Sequence, residues 1–352
     1  MSTKQRVAVA MSGGVDSSVA THLLLEEGYE CVGVTLQLFD TGQCGAPEAI
    51  SAARGVAEQL GIAHHVVDGR ERFAEKVLRP AWQEYARGRT PNPCVICNEE
   101  IKFGLLSEFA RSLGIPLIAT GHYARLRPAK NGAVELWRGL SREKDQSYFL
   151  FALSEAQRAA CLMLLGALTK QQVRDIARER GLMSAERSDS QDACFATNDR
   201  TFPEELRRFF DEPAQAGPVL DDEGNVVGQH TGLHQYTIGQ RHGLGIALGE
   251  RAWVREIDAV QRRVVLTTDA NALMARGLET AGARWLATPE ARDCQVQIRY
   301  RHKAVPARVT PLDDDRFRVE FAEPQRAVTP GQAAVLYDDE RVLAGGWIDR
   351  AL

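Results

Sequence analysis

Through the first half of the chain, short apolar blocks alternate with longer stretches in which apolar residues recur every three or four positions. The first pattern is that of buried strands and the second that of amphipathic helices. Residues 6–10 (RVAVA) predict a strand and 16–27 a helix with Asp16 in its first turn. YECVGVTLQLF (29–39) predicts a second strand, PEAISAARGVAEQLG a helix stopped by Gly61, and AHHVVD (63–68) a third strand. A helix through ERFAEKVLRPAWQEYARG follows, then a polar loop RTPNPCVICNEE, a helix through IKFGLLSEFARSLG and a strand within IPLIATGHYARL. Such alternation predicts an α/β domain, a doubly wound parallel sheet with helices on both faces. Ligands of such sheets sit at the carboxyl ends of the strands, where residues 12–17, 36–39 and 121–122 fall.

After about residue 200 the pattern changes to short β-like runs among Gly, Gln and Asp, with a hairpin expected around residues 258–261. From about 271 the runs CQVQIRYR, VPARVTPL, RFRVEF, QAAVLYD and RVLAGGWI predict a small antiparallel β-barrel. The expected division is therefore 1–200, a small central domain 201–270, and a barrel 271–352. No apolar run is long enough for a membrane span and the N-terminus leads straight into the first strand, so a cytoplasmic protein is expected. Net charge is −4, which leaves any nucleic-acid site to a local patch. The stretch 294–312 holds Arg299, Arg301, Lys303 and Arg308 without an acidic residue, and by itself reads as a solvated edge strand. Seven cysteines, an odd number, argue against a disulfide framework and for individual thiol chemistry or burial.

Residues 12–17, SGGVDS, stand between the first strand and its helix. Gly13 and Gly14 permit positive φ and let backbone N–H groups converge on an anion, and the helix dipole starting near Val15 adds attraction. Ser12, Ser17 and Ser18 supply hydroxyls, and Asp16 beside a phosphate implies a bridging Mg²⁺. A Gly-Gly turn with an Asp/Ser helix cap accounts for the same letters. The loop lacks the Gly-Lys-Ser/Thr of nucleotide hydrolases. As a whole, SGGVDSS after a β run resembles the PP-loop of ATP pyrophosphatases, which cleave ATP between its α- and β-phosphates. That resemblance implies transfer of AMP and release of pyrophosphate, with no departing γ-phosphoryl to clamp.

Two cysteine stretches stand apart from this loop. RTPNPCVICNEEIKF places Cys94 and Cys97 as a Cys-x-x-C just before a helix, open to half a zinc site, a redox pair or two buried thiols. The positive end of that helix is expected to depress the pKa of Cys97. Cys194, in SDSQDACF, has polar, loop-like surroundings. Thiols on two loops beside an adenylating site suggest sulfur chemistry.

Together AMSGGVDSS, GRTPNPCVICNEEIKFG, ATGHYAR, KDQSYFLFAL, DSQDACF, YTIGQRHGLGI and VTPGQAAVLYD resemble, in order and over essentially the whole chain, the bacterial tRNA-specific 2-thiouridylase family. The resemblance implies an ATP-binding PP-loop domain, a central tRNA-contacting domain and a tRNA-binding barrel. It implies 2-thiolation of the wobble uridine: ATP adenylates the C2 oxygen, and sulfur arrives as a persulfide from a cysteine desulfurase or relay protein. Cys194 would carry the persulfide and Cys97 would be the partner thiol. Cys97 would either release sulfide-like sulfur toward C2 or resolve an adduct after direct attack, and a Cys97–Cys194 disulfide would then need a cellular thiol reductant. ATP would be held by Ala10, Met11, Ser12, Gly13, Gly14, Val15, Asp16 and Ser17, with Leu36 on the adenine side and Gly121 at the nucleotide edge. Asn92, Pro93 and Cys94 match the segment contacting the target base, although some relatives carry at the position of Cys94 an aspartate proposed as general acid/base. His122, Lys144, Asp145, Gln146, Arg299, Tyr300 and Gln332 match tRNA-contacting positions, and the chain is expected to act as a monomer. Read without the resemblance, His122 is a structural loop residue and 144–146 a helix-cap region.

Two rivals share parts of the pattern. A PP-loop ligase amidating a small molecule would explain the loop and sheet but not the paired thiols or basic barrel. An ATP-responsive RNA-binding module would not need the thiols either.

Overall fold

A computed structural model describes residues 4–40, 45–187, 201–246 and 249–352. The described residues pack as two compact units, one drawn from Met1–Val77, Cys94–Ala196 and Glu340–Val342, the other from Leu78–Pro93, Thr197–Asp339 and Leu343–Leu352.

In the first unit the apolar blocks become β1 (Arg6–Ala10), β2 (Glu30–Gln37), β3 (Ala63–Asp68) and β4 (Leu117–Ala119). A hairpin, β5 (Ala124–Pro128) and β6 (Val134–Arg138), and a two-residue β7 (Cys161–Leu162) follow. The parallel sheet runs β3-β2-β1-β4-β7. Central β1 is covered on both faces, with Val7, Ala8 and Val9 all inaccessible, which is why its sequence is continuously apolar rather than alternating. Gly61, at φ +68°, ends the helix Pro47–Gln59 as expected.

Two local expectations fail for identifiable reasons. The stretch taken as a polar loop turns helical at Pro93, and one helical run continues through Pro93–Ile96, Cys97–Leu105 and Leu106–Ser112. Proline fixes φ at a helical value and lacks the N–H that a first turn leaves unpaired, so PNPC starts a helix rather than prolonging a loop. The strand foreseen in IPLIATGHYARL breaks after Ala119, and 120–123 form a connection before β5.

In the second unit β8 (Gly217–Leu220), β9 (Val226–His230), β10 (Trp253–Asp258) and β11 (Arg263–Thr267) form a sheet ordered β10-β11-β8-β9. The expected hairpin joins β10 and β11, with Arg262 at φ +52°. Six strands follow: β12 (Met274–Trp285), β13 (Arg292–Gln297), β14 (Val305–Asp313), β15 (Arg316–Arg326), β16 (Ala333–Asp338) and β17 (Arg341–Ala351). They run β12-β15-β14-β13-β16-β17, and β12 pairs with β17 to close an antiparallel barrel around Leu278, Val296, Phe317, Val319 and Ile348. The strand expected to carry Arg299 and Tyr300 stops at Gln297. The Gln297 amide donates to the carbonyls of Arg299 at 3.2 Å and Tyr300 at 2.6 Å, folding the chain into a turn. Among the described residues no helix is long and apolar enough to cross a membrane.

Candidate functional site

The first unit brings the carboxyl ends of β2, β1 and β4 side by side, so the segments after Ala10, Gln37 and Ala119 share one edge of the sheet. β1 stops and the chain turns through Ser12, Gly13 and Gly14 into the helix Val15–Glu26. Gly13 is at φ +72°, and a Cβ there would meet Ala52 Cβ at 2.8 Å and the Ala49 carbonyl at 2.9 Å, so only glycine fits. Gly14 is the N-cap, in extended rather than left-handed backbone, and no side chain caps the helix. The first-turn N–H groups are thus left for a ligand, at the positive end of the helix dipole. The Ser17 and Ser18 hydroxyls both donate to the Gly14 carbonyl, at 3.1 and 2.9 Å, and Ser17 Oγ also accepts the Ser12 N–H at 3.3 Å. That network ties the loop closed without using its amide fan.

Segment 120–123 forms a wall beside the loop. Gly121 approaches so closely that a Cβ would lie 3.0 Å from both Asp16 C and Ser17 N. Tyr123 Oη donates to Asp16 Oδ1 at 2.6 Å. The expected role of Asp16 took no account of a partner, yet Lys170 Nζ, at the start of the helix Lys170–Glu179, donates to both its carboxylate oxygens at 2.8 and 2.9 Å. Arg187 Nη1 donates to the Gly13 carbonyl at 2.9 Å.

Cys97 lies inside the helical run, in a segment wound with the wide π spacing, rather than ahead of a helix. The expected thiolate is overturned: burial pushes the Cys97 thiol up to about 11, with Lys102 pulling the other way and Cys94 adding to the rise. Desolvation of the charged form outweighs the pull of the lysine. Burial raises Cys94 as well, which makes it a still poorer acid/base. His122 is buried, its Nδ1 2.8 Å from Thr120 Oγ1 and its ring 5.6 Å from that of Phe103. Burial, reinforced by Lys102, lowers its pKa to about 3, so it is neutral. Lys102 therefore acts on Cys94, Cys97 and His122 alike. Cys194 lies outside the described residues. The five described cysteines that carry free thiols are Cys31, Cys94, Cys97, Cys161 and Cys294.

Three family models match successive stretches of the chain. Residues 5–198 match the family model described as tRNA methyl transferase HUP domain, 209–268 the tRNA methyl transferase PRC-barrel domain, and 275–348 the aminomethyltransferase beta-barrel domain. The chain is 44% identical to a tRNA-specific 2-thiouridylase of Geotalea uraniireducens, covering 99% of this chain and 96% of the relative. It is 45% identical to that of Synechococcus and 46% identical to that of Chloroflexus aggregans, covering 98% of each chain in both cases. The chain belongs to the tRNA-specific 2-thiouridylase family.

Within this thiouridylase family member, the remaining matched positions separate by environment. In the first unit Leu36, next to the last residue of β2, is half-buried. Asp145 is buried and accepts from Arg138 Nη1, Gly139 N, Ser147 N and Ser147 Oγ at 2.9–3.0 Å. Gln146 Oε1 accepts from Tyr123 N at 3.0 Å, and Lys144 is half-buried. Asp145 and Gln146 thus hold their own chain. In the second unit Asn92 is buried, Pro93 and Tyr300 half-buried and Arg299 exposed. The Gln332 amide donates to the carbonyls of Thr90 at 3.0 Å and Pro91 at 3.1 Å. Sequence reasoning passed over Lys102, Tyr123, Lys170 and Arg187. The Thr-x-x-Gln capping box at 169–172 marks a helix start, but nothing local assigns Lys170 to a carboxylate 154 positions away.

Proposed function

We propose that this protein carries out ATP-dependent 2-thiolation of the wobble uridine of tRNA; its relatives are named tRNA-specific 2-thiouridylases. The single observation that supports it best is identity of 44–46% along essentially the full chain to 2-thiouridylases. The open amide fan at Gly14 suits an anionic substrate, and a hydroxyl-rich loop with no basic residue of its own suits cleavage at the α-phosphate. The uridine O2 attacks the α-phosphate, pyrophosphate leaves, and C2 now carries AMP as its leaving group. Sulfur replaces that oxygen, delivered from a persulfide on Cys194, with Cys97 as the thiol that closes or resolves the exchange. A Mg²⁺ ion arriving with ATP would neutralise phosphate charge; Asp16 is the loop carboxylate able to ligate it. His122 and Cys97 are both buried, and burial favours the neutral form of each.

The reading extends to an ATP-binding domain over 1–200, a tRNA-contacting domain over 201–270 and a tRNA-binding barrel over 271–352. It includes a sulfur-relay partner, a cellular thiol reductant, a monomeric state and a cytoplasmic location. Incubation of the purified chain with Mg-ATP, a persulfide donor and unmodified tRNA, followed by nucleoside mass analysis, tests it. 2-Thiouridine is expected, and its loss in Cys97→Ser with tRNA affinity retained. An amidated metabolite without 2-thiouridine would instead identify a ligase, and tRNA binding without any turnover a binding module.

A further inference from the structure

We propose that Thr35 and His64 are positioning residues of the ATP site: a relay from the His64 imidazole through the Thr35 hydroxyl fixes the peptide at which β1 turns into the glycine loop. This deepens the ATP-adenylating reading above and rests on it.

Three observations carry it. The first is a chain of hydrogen bonds that can run in one direction only. Thr35 Oγ1 lies 2.7 Å from the Met11 carbonyl and 2.8 Å from His64 Nε2. A carbonyl only accepts, so the single hydroxyl proton goes to Met11 and His64 Nε2–H donates to Thr35. The second is place. Gly33 and Thr35, two apart on β2, face the same side of the sheet, and His64 on β3 is the register partner of Gly33. A Cβ at Gly33 would stand 2.6 Å from Met11 Sδ and 3.2 Å from His64 Cδ2, so the glycine leaves the space that both side chains fill. The third is that one peptide is held from both sides. Met11 N donates to the Val34 carbonyl at 2.8 Å, and across the Met11–Ser12 peptide Ser12 N donates to Ser17 Oγ at 3.3 Å. Met11 and Thr35 are both buried.

The chemistry follows from the polarity of that peptide. An anion site built from N–H groups needs the carbonyls at its rim turned away, because a carbonyl oxygen facing a phosphate repels it. Thr35 holds the Met11 oxygen toward β2, which leaves the N–H of the same peptide on the loop side. Donation from His64 polarises the hydroxyl and strengthens its bond to the carbonyl. Both side chains act through the orientation of Met11–Ser12 rather than on the nucleotide itself.

Titration of the full-length chain with Mg-ATP tests this, with melting temperature and tRNA affinity recorded alongside. Thr35→Val, which keeps the shape and removes the hydroxyl, should weaken Mg-ATP binding about 10-fold and leave tRNA affinity unchanged, and Thr35→Ser should restore it. His64→Leu should weaken Mg-ATP binding several-fold, and His64→Gln, which presents an N–H at similar reach, should restore it. The Thr35→Val/His64→Leu double variant should bind no more weakly than Thr35→Val alone. A lowered melting temperature with Mg-ATP affinity unchanged in the folded variants would overturn the proposal, and so would additive losses in the double variant. His64 is only half-buried, so its two variants decide the matter if Thr35→Val fails to fold. A wild type that does not bind Mg-ATP would remove the ATP-site reading itself, a result distinct from a failure of the relay.

Discussion

At the residue scale, the thiol most exposed to functional argument is the one the fold keeps uncharged. Cys97 ionises near 11, so at neutral pH it is a thiol and its reactive fraction grows about tenfold per pH unit up to that value. The sign for stability follows: an unfolded cysteine ionises near ~8.5, so Cys97's contribution is complete below that pH and is lost as pH rises through about 11. His122 has the opposite sense. Its folded value near 3 lies below the unfolded ~6.5, so its contribution is complete above the latter and lost as the medium acidifies toward the former. Lys102 opposes burial at both thiols, five positions after Cys97 along a π-wound segment. Lys102→Met should therefore slow iodoacetamide alkylation of Cys97 several-fold at fixed pH and move the alkylation profile to higher pH, read by peptide mass spectrometry. An unchanged profile would remove its electrostatic role.

At the element scale, two devices prepare the chemistry. One is the uncapped helix after β1, whose loop is closed by the Ser17 and Ser18 hydroxyls while its amides remain available. The other lies in the second unit, where 89–91 are held by a dense set of contacts. Thr90 N donates to the Pro330 carbonyl at 2.9 Å, Thr90 Oγ1 to Thr237 Oγ1 at 3.0 Å, and Arg89 reaches the Ile348 carbonyl at 3.0 Å. Gln332 completes this clamp through two carbonyls. Gln332→Ala should cost about 1 kcal/mol of local stability and speed amide exchange at Thr90, measured by hydrogen exchange. Faster exchange without loss of tRNA affinity would assign Gln332 to the clamp; loss of affinity with unchanged exchange would assign it to RNA. The loop predicted from RTPNPC is thus one of the more tightly held segments. Its polar letters satisfy partners more than 140 residues away, which no local pattern discloses.

At the scale of the whole molecule, a net charge of −4 leaves recognition of a polyanion to exposed basic residues such as Arg299. Arg299→Ala should weaken tRNA binding at low salt and reduce the slope of log affinity against log salt by about 1, while leaving Mg-ATP affinity intact. An unchanged slope would exclude a phosphate contact there. The alternation of apolar blocks and helical periods determined the parallel sheet, the glycine turn at its edge and the barrel after residue 271, because these depend on local period and backbone freedom. RVAVA followed by SGGVDSS leaves few other arrangements. What lay beyond it was long-range pairing: Lys170 on Asp16, Gln332 on Thr90 and Pro91, and the turn that takes Arg299 and Tyr300 off their strand. Only tertiary structure decided the state of Cys97, since its ionisation depends on how much water the packed fold removes, and burial there outweighs the pull of Lys102.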